Sequence, residues 1–270
     1  MSIETLLFDL DDTLIIEYSS IDDSFAETIR QIENNIDRNA FIKSIRDQAQ
    51  ELWAQLPAYD YCRKIGISSW DALWVDFTED IEPVRQLNDL SGWFRFETWH
   101  RTLNQFNIHD RNIAIRLSNE FKKIRSSRHH LYPETLEILN RLKGSYKLGL
   151  ITNGAPDVQW KKIDGGHLKH YFDCIIISGY YGLRKPDERL FHAAMTALKG
   201  NTAHSIMIGN SLNSDIKGAN KSGIKTIWIN RNKIKMTDIK PDYEIDNLLN
   251  IEQILKIENE VGNNNQEHIF

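Results

Sequence analysis

From residue 132 onward, short apolar runs at 147–151, 174–178, 205–208, 226–229 and 243–245 alternate with segments of helical spacing at 133–142, 156–163, 187–198, 215–222 and 248–257. Apolar strands of this length alternating with helices indicate a parallel sheet covered on both faces. One more such run, Leu6-Leu7-Phe8, stands alone near the amino terminus. After it the alternation stops for more than a hundred residues. Between 24 and 124 the apolar positions recur at helical spacing instead: Phe25, Ile29, Ile32, Ile36; Ile42, Ile45, Ala49, Leu52, Leu56; Trp70, Leu73, Trp74, Phe77; Phe96, Trp99, Leu103, Phe106; and Ile113, Leu117, Phe121, Ile124. Residues three or four apart share one helix face. The expected fold is therefore α/β, a parallel-sheet core split after its first strand by an α-helical insertion. The core takes 1–16 and 128–258, the insertion 17–127, and a polar, mobile tail 259–270.

Five of the seven tryptophans (Trp53, Trp70, Trp74, Trp93, Trp99) lie in the insertion. At helical spacing Trp70, Trp74 and Trp99 read as core rather than as a ligand box. Tyr59, Tyr61 and Arg63, after Pro57 and outside the stripes, are candidates for a substrate-facing loop. The net charge of -5 gives no general attraction to nucleic acid or to an anionic membrane. The stretch Arg231, Lys233, Lys235 is short, lacks interleaved aromatics and reads as a solvated loop. Cys62 and Cys174 cannot build a disulfide framework or a cysteine zinc site. His129-His130, or His167 with His170, lack the further ligands a zinc site needs. Gly165-Gly166 does not directly follow a strand and reads as a loop. No signal peptide precedes the first strand and no apolar run spans a bilayer, so a soluble, cytoplasmic protein is expected.

The first strand ends in three carboxylates within four positions, Asp9-Leu10-Asp11-Asp12. An acidic turn capping a following helix explains that stretch taken alone. Geometry offers a sharper reading. In an extended chain residues two apart share a face, about 6.6 Å apart between Cα atoms, so Asp9 and Asp11 would face one small ligand together. One could attack a phosphorus atom while the other protonates the departing oxygen. Two carboxylates at 4 Å repel by ~4 kcal/mol at an effective dielectric near 20. The arrangement therefore calls for a divalent cation and a lysine.

Ligands of open parallel sheets collect at the carboxyl ends of the strands. The remaining polar clusters fall there: Thr152-Asn153-Gly154 after the second strand, Lys185-Pro186-Asp187 after the third, and Gly209-Asn210-Ser211 with Asp215 after the fourth. Each has a plain role as a turn, helix start or cap; together they share one edge with Asp9 and Asp11. With Phe8-Asp9-Leu10-Asp11-Asp12-Thr13-Leu14 and Ile151-Thr152-Asn153-Gly154, they resemble the four ordered motifs of the haloacid dehalogenase-like hydrolase superfamily. The helical insertion also sits where that superfamily places its cap, between the first and second motifs.

The resemblance implies a Rossmann-like core under a helical cap, and a Mg²⁺-dependent phosphatase acting on a small phosphorylated metabolite. It implies Asp9 as nucleophile forming an aspartyl-phosphate, and Asp11 as general acid and then base. Thr152, with backbone N–H help around Asn153, would hold the phosphoryl oxygens. Lys185 would neutralise Asp9 and the phosphate. The metal set would be Asp9, the Asp11 carbonyl, Asn210 and Asp215. One departure stands out: the family places an acid where this chain has Asn210, which brings an oxygen without charge. The cap would close over the site, with hinges near 17–20 and 126–130. Two alternatives follow from the same resemblance. A 2-haloacid dehalogenase would use Asp9 on carbon but leave Asp11 and Asp215 unexplained; a non-catalytic binder of phosphate esters would be favoured by Asn210 alone. A phosphonatase would need a Schiff-base lysine from the cap, which spacing does not identify.

Overall fold

A computed structural model describes residues 2–32 and 36–267. The chain runs β1 (Thr5–Phe8), α1 (Tyr18–Ile29), α2 (Arg38–Trp53), α3 (Tyr59–Ile65), α4 (Ser69–Ala72), α5 (Glu82–Gln105), α6 (Arg111–Ser126) and α7 (Thr135–Leu142). It continues through β2 (Lys147–Thr152), α8 (Pro156–Gly165), β3 (Cys174–Ile177), α9 (Ser178–Tyr181), α10 (Glu188–Leu198), β4 (Ser205–Gly209), α11 (Lys217–Lys221), β5 (Lys225–Ile229), β6 (Tyr243–Ile245) and α12 (Ile251–Glu267). Met1–Ile16, Leu131–Asn153 and Gly166–Phe270 form one compact unit, and Glu17–His130 with Gly154–Gly165 form a second.

The first unit is a six-stranded sheet in the order β3-β2-β1-β4-β5-β6, parallel throughout. Leu6, Leu7 and Phe8 of β1 are fully buried, as expected of a central strand covered on both faces. On one face Leu7, Ile151 and Met207 pack against Leu190, Phe191, Ala194 and Leu198 of α10. Asp187 caps that helix by accepting from the Arg189 N–H at 3.1 Å, which fits its place as a helix start. This is the parallel, Rossmann-like α/β sheet expected from sequence, with β1 at its centre.

The second unit is helical. Phe25 stacks on Phe121 at 4.4 Å, and Trp99 packs on Phe25, Phe41 and Phe121. Trp74 and Trp99 are buried, so the core reading holds for both. Trp70 is half-buried under the Arg46 guanidinium, 4.6 Å from its ring. Tyr59, Tyr61 and Arg63 lie in α3 rather than in a loop. Pro57 falls before that helix, Cys62 and Ile65 give it a buried side, and Gly66 ends it at φ 86°. Helix α8 groups with this unit, although its place between two strands had put it in the sheet core; Ala155 and Val158 join the helical unit's apolar cluster.

Glu17 departs from the expected polar hinge. It is buried against Arg125 at 2.5 Å and Lys162 at 3.2 Å, and Lys162 also reaches Asp71 at 3.5 Å. Arg125 lies over the Trp74 ring at 4.8 Å. Burial works against the Glu17 carboxylate, but Lys162 and Arg125 overcome it and hold the group below its ordinary range. Helix α12 runs to Glu267, so most of the segment expected to be a mobile tail continues the helix, while its last three residues lie outside the described range. No proline follows Ile251, and the one glycine there costs only about 1 kcal/mol against alanine. No described helix is long and apolar enough to cross a membrane.

Candidate active site

Because the strands run parallel, the residues that follow them emerge along one edge of the sheet unit. Asp9 follows β1, Thr152 closes β2 with Asn153 after it, and Asn210 follows β4. Lys185 lies in the segment between α9 and α10, and Asp215 in a π turn, Leu212–Ile216. Asp9, Thr152, Lys185 and Asp215 are buried, whereas Asp11, Asn153 and Asn210 are half-buried.

Lys185 is the hub. Its Nζ donates to Asp9 Oδ1 at 2.6 Å and to the Ile151 carbonyl at 2.5 Å, and it pairs with Asp215 Oδ1 at 2.8 Å. Asn153 fixes the lysine's backbone, accepting from Lys185 N at 2.8 Å and donating to Lys185 O at 3.3 Å. The side chain of Asn153 therefore serves the lysine. Burial opposes the charged ammonium, but Asp215 and Asp9 outweigh it and raise the Lys185 pKa.

Asp215 lies beside this lysine. Its Oδ2 accepts from Ser211 N at 3.0 Å, and its Oδ1 from Ser214 Oγ at 3.2 Å as well as from the lysine. Gly209 makes the approach possible, since a Cβ there would lie 2.4 Å from Asp215 Oδ2. That close contact is the physical content of the glycine at the end of β4.

Asp9 carries the perturbed acid. Burial first, and then the Asp215 charge, push its pKa to about 7, against the pull of Lys185; Asp11 adds a smaller repulsion. The other oxygen, Oδ2, accepts from Thr13 Oγ1 at 2.9 Å, and that hydroxyl accepts from Asn210 N at 3.1 Å. Asn210 O in turn accepts from Trp228 Nε1 at 2.8 Å. Thr13 was missed as a site residue; its position four after Asp9, within a turn that brings Leu14 N back to Leu10 O at 2.9 Å, was the available signal. Asp12 takes a left-handed φ of 58° at this turn, a conformation that aspartate tolerates better than most residues.

Two carboxylates, Asp9 and Asp215, share one lysine here; burial first and the Asp215 charge second raise the Asp9 pKa, with Asp11 adding the least. The donors Asp9, the Asp11 carbonyl and the Asn210 amide are all hard oxygens, the set a magnesium-sized cation prefers. Among the described residues no group of three or more His, Cys, Asp or Glu side chains gathers as a metal site.

Residues 3–223 match the family model described as haloacid dehalogenase-like hydrolase. The chain belongs to the haloacid dehalogenase-like hydrolases. Among curated relatives of this hydrolase, a phosphoserine phosphatase of Thermus thermophilus is 29% identical over 249 residues, 90% of this chain and 95% of the relative. The pyrimidine 5'-nucleotidase YjjG of Escherichia coli is 30% identical over 186 residues, 68% of this chain and 77% of that protein. Among solved structures, the putative hydrolase YfnB of Bacillus subtilis, described as bound to magnesium, aligns at a TM-score of 0.64 and 21% identity, covering 95% of this chain and 100% of that one. At that identity the likeness speaks for the fold.

Proposed function

We propose that this hydrolase cleaves a small phosphate monoester through a covalent phosphoryl-aspartate at Asp9. The observation that carries the reading is the buried Asp9 carboxylate at the end of β1, with Lys185 Nζ 2.6 Å from one oxygen and Thr13 Oγ1 2.9 Å from the other. A carboxylate held at both oxygens is oriented before substrate arrives, which is how positioning lowers the barrier to phosphoryl transfer. An Asp9 oxygen forms the bond to phosphorus as the bond to the ester oxygen breaks. Asp11, protonated at the start, gives its proton to that departing oxygen. Asp11, now a carboxylate, takes a proton from water as the water oxygen attacks the phosphorus; the Asp9–phosphorus bond breaks and inorganic phosphate leaves. Lys185 offsets the charge of Asp9 and of the phosphoryl oxygens, and Thr152 and the backbone after it would hold those oxygens.

Magnesium would be held by the Asp9 carboxylate, the Asp11 carbonyl and the Asn210 amide oxygen; when bound it supplies positive charge against the phosphoryl oxygens. In this reading Asp215 stays beside Lys185, 2.8 Å from its Nζ, and offsets its charge. Attack on a halogenated carbon would need neither Asp11 nor a cation, and the relatives named for their activity above act on phosphate esters. The net charge of -5 favours a small substrate over nucleic acid.

The test is release of aryl alcohol from a generic aryl phosphate with Mg²⁺, using Asp9→Asn as control. Turnover by the wild type and silence in the variant are expected. Equal activity in the two would end the assignment of Asp9, and a wild type that binds phosphate esters without turnover would make the chain a binder.

A further inference from the structure

We propose that Arg231 is a positioning residue for Asp9, acting through Thr13. The inference rests on the phosphoryl-aspartate reading for its catalytic consequence, though not for its geometry. Arg231 was expected in a solvated loop just after β5. Its guanidinium carbon instead lies over the Tyr132 ring, 3.6 Å from the centroid. Its Nη1 pairs with Glu134 Oε1 at 2.6 Å and donates to the Asp246 carbonyl at 3.4 Å. Its Nη2 donates to the Thr13 carbonyl at 3.2 Å. The Glu134 oxygen that holds it also accepts from Leu248 N at 3.4 Å. One side chain thus ties the turn after β1 to the segment before α7 and to the end of β6.

Thr13 is the link to the chemistry. Its hydroxyl donates to Asp9 Oδ2 and accepts from Asn210 N, while Arg231 grips its carbonyl. The residue is therefore held on both sides of its own backbone. The neighbouring residues are pinned by Tyr132 N on the Leu14 carbonyl at 3.0 Å and by Thr135 Oγ1 on the same oxygen at 2.9 Å. With the carbonyl released, the Thr13–Leu14 peptide keeps only its Leu14 N–H bond to Leu10 O at 2.9 Å, so the turn loosens and the hydroxyl is held less firmly in line with Asp9. Lys185 would then hold only the other oxygen. Only arginine suits the place. A planar fork can stack, pair with a carboxylate and reach a carbonyl at once, whereas an ammonium is a point charge. The Arg231 Nε is buried and has no hydrogen-bond partner among the described residues.

The experiment uses Arg231→Met, Arg231→Lys, Thr13→Val and the double variant Arg231→Met with Thr13→Val, in the full chain. Hydrogen exchange of peptides spanning 9–16 is read alongside kcat and KM for an aryl phosphate. Both Arg231 variants should speed exchange of that segment roughly tenfold while the rest of the sheet unit keeps its protection. In Arg231→Met, kcat should fall roughly 10- to 100-fold, the scale of a small misplacement of a reacting group, with KM little changed. The lysine variant keeps the charge opposite Glu134 and so guards against simple misfolding. In the double variant kcat should be no lower than in Thr13→Val alone, because Arg231 works through that residue. Unchanged exchange in both Arg231 variants overturns the inference whether or not the chain proves to be a phosphatase. Faster exchange with unchanged kcat in an active enzyme, or additive losses in the double variant, overturns it as well. Faster exchange in a chain without phosphatase turnover keeps the clamp and sinks the catalytic reading instead.

Discussion

Replacing Asp9 by asparagine should stabilise the metal-free protein at neutral and alkaline pH. The carboxyl has a pKa of about 7 in the folded chain against 3.8 for the ordinary group. Between those values the folded state holds a proton that the unfolded chain has lost. Stability from this group is therefore full at low pH and declines as pH rises towards 7, by at most ~1.4 kcal/mol per pH unit. Over about 3 units the decline is on the order of 4 kcal/mol, a large share of the ~5–15 kcal/mol typical of a domain. An asparagine amide carries no such proton, so the stability difference between variant and wild type should widen from about pH 4 to about pH 7 and then level off. Urea unfolding in a chelator across that range measures it directly. Saturating Mg²⁺, binding only the folded wild type, should recover ~2.7 kcal/mol at a hundredfold excess over its Kd. Stability curves that stay parallel, with no Asp9-dependent slope, would refute the claim that uncompensated burial beside Asp215 sets the charge of this acid.

Asn210→Asp should tighten Mg²⁺ in a titration of activity against the metal, because it adds a charge to a neutral oxygen of the set; an unchanged midpoint would remove Asn210 from that set. Glu17→Gln leaves Arg125 and Lys162 buried without their shared carboxylate and should destabilise by ~3–5 kcal/mol in denaturant unfolding. It should also remove the part of wild-type stability that is lost as pH falls below about 4.5, the ordinary glutamate value from which this group is lowered. Gly209→Ala places a methyl 2.4 Å from Asp215 Oδ2 and should cost ~1–3 kcal/mol while lowering kcat through a displaced Lys185. A variant as active and stable as the wild type would deny that close approach.

What was legible in the chain were the features that carry a local signature. Strand ends, acids two apart, and a lysine at a helix start all read from spacing, and they converge on Asp9 and Lys185. The partners of those residues were less legible, because they arrive from distant segments. Asp215 read as a candidate metal ligand, and spacing alone gives no sign that Lys185 Nζ would lie 2.8 Å from it. Arg231 read as solvated because its neighbours are Asn232 and Lys233, while Tyr132 and Glu134 lie almost a hundred residues earlier. Glu17 read as polar linker for the same reason, its burial depending on Arg125 and Lys162. Tyr59 to Arg63 escaped notice as a helix because seven residues give too few turns for a stripe.

The central place of β1 carries a consequence for the life of the chain before it is finished. Thr5–Phe8 leaves the ribosome before either of its two neighbours, which begin at Lys147 and Ser205. At ~5–20 residues per second of synthesis, the second neighbour trails by roughly 10–40 s. Through that interval a short, greasy ribbon with two unpaired edges waits in the open, while the first six helices have already been made. Nascent-chain stalling after residue 130, and again after 210, would show whether that ribbon is sheltered by a chaperone until the sheet can admit it.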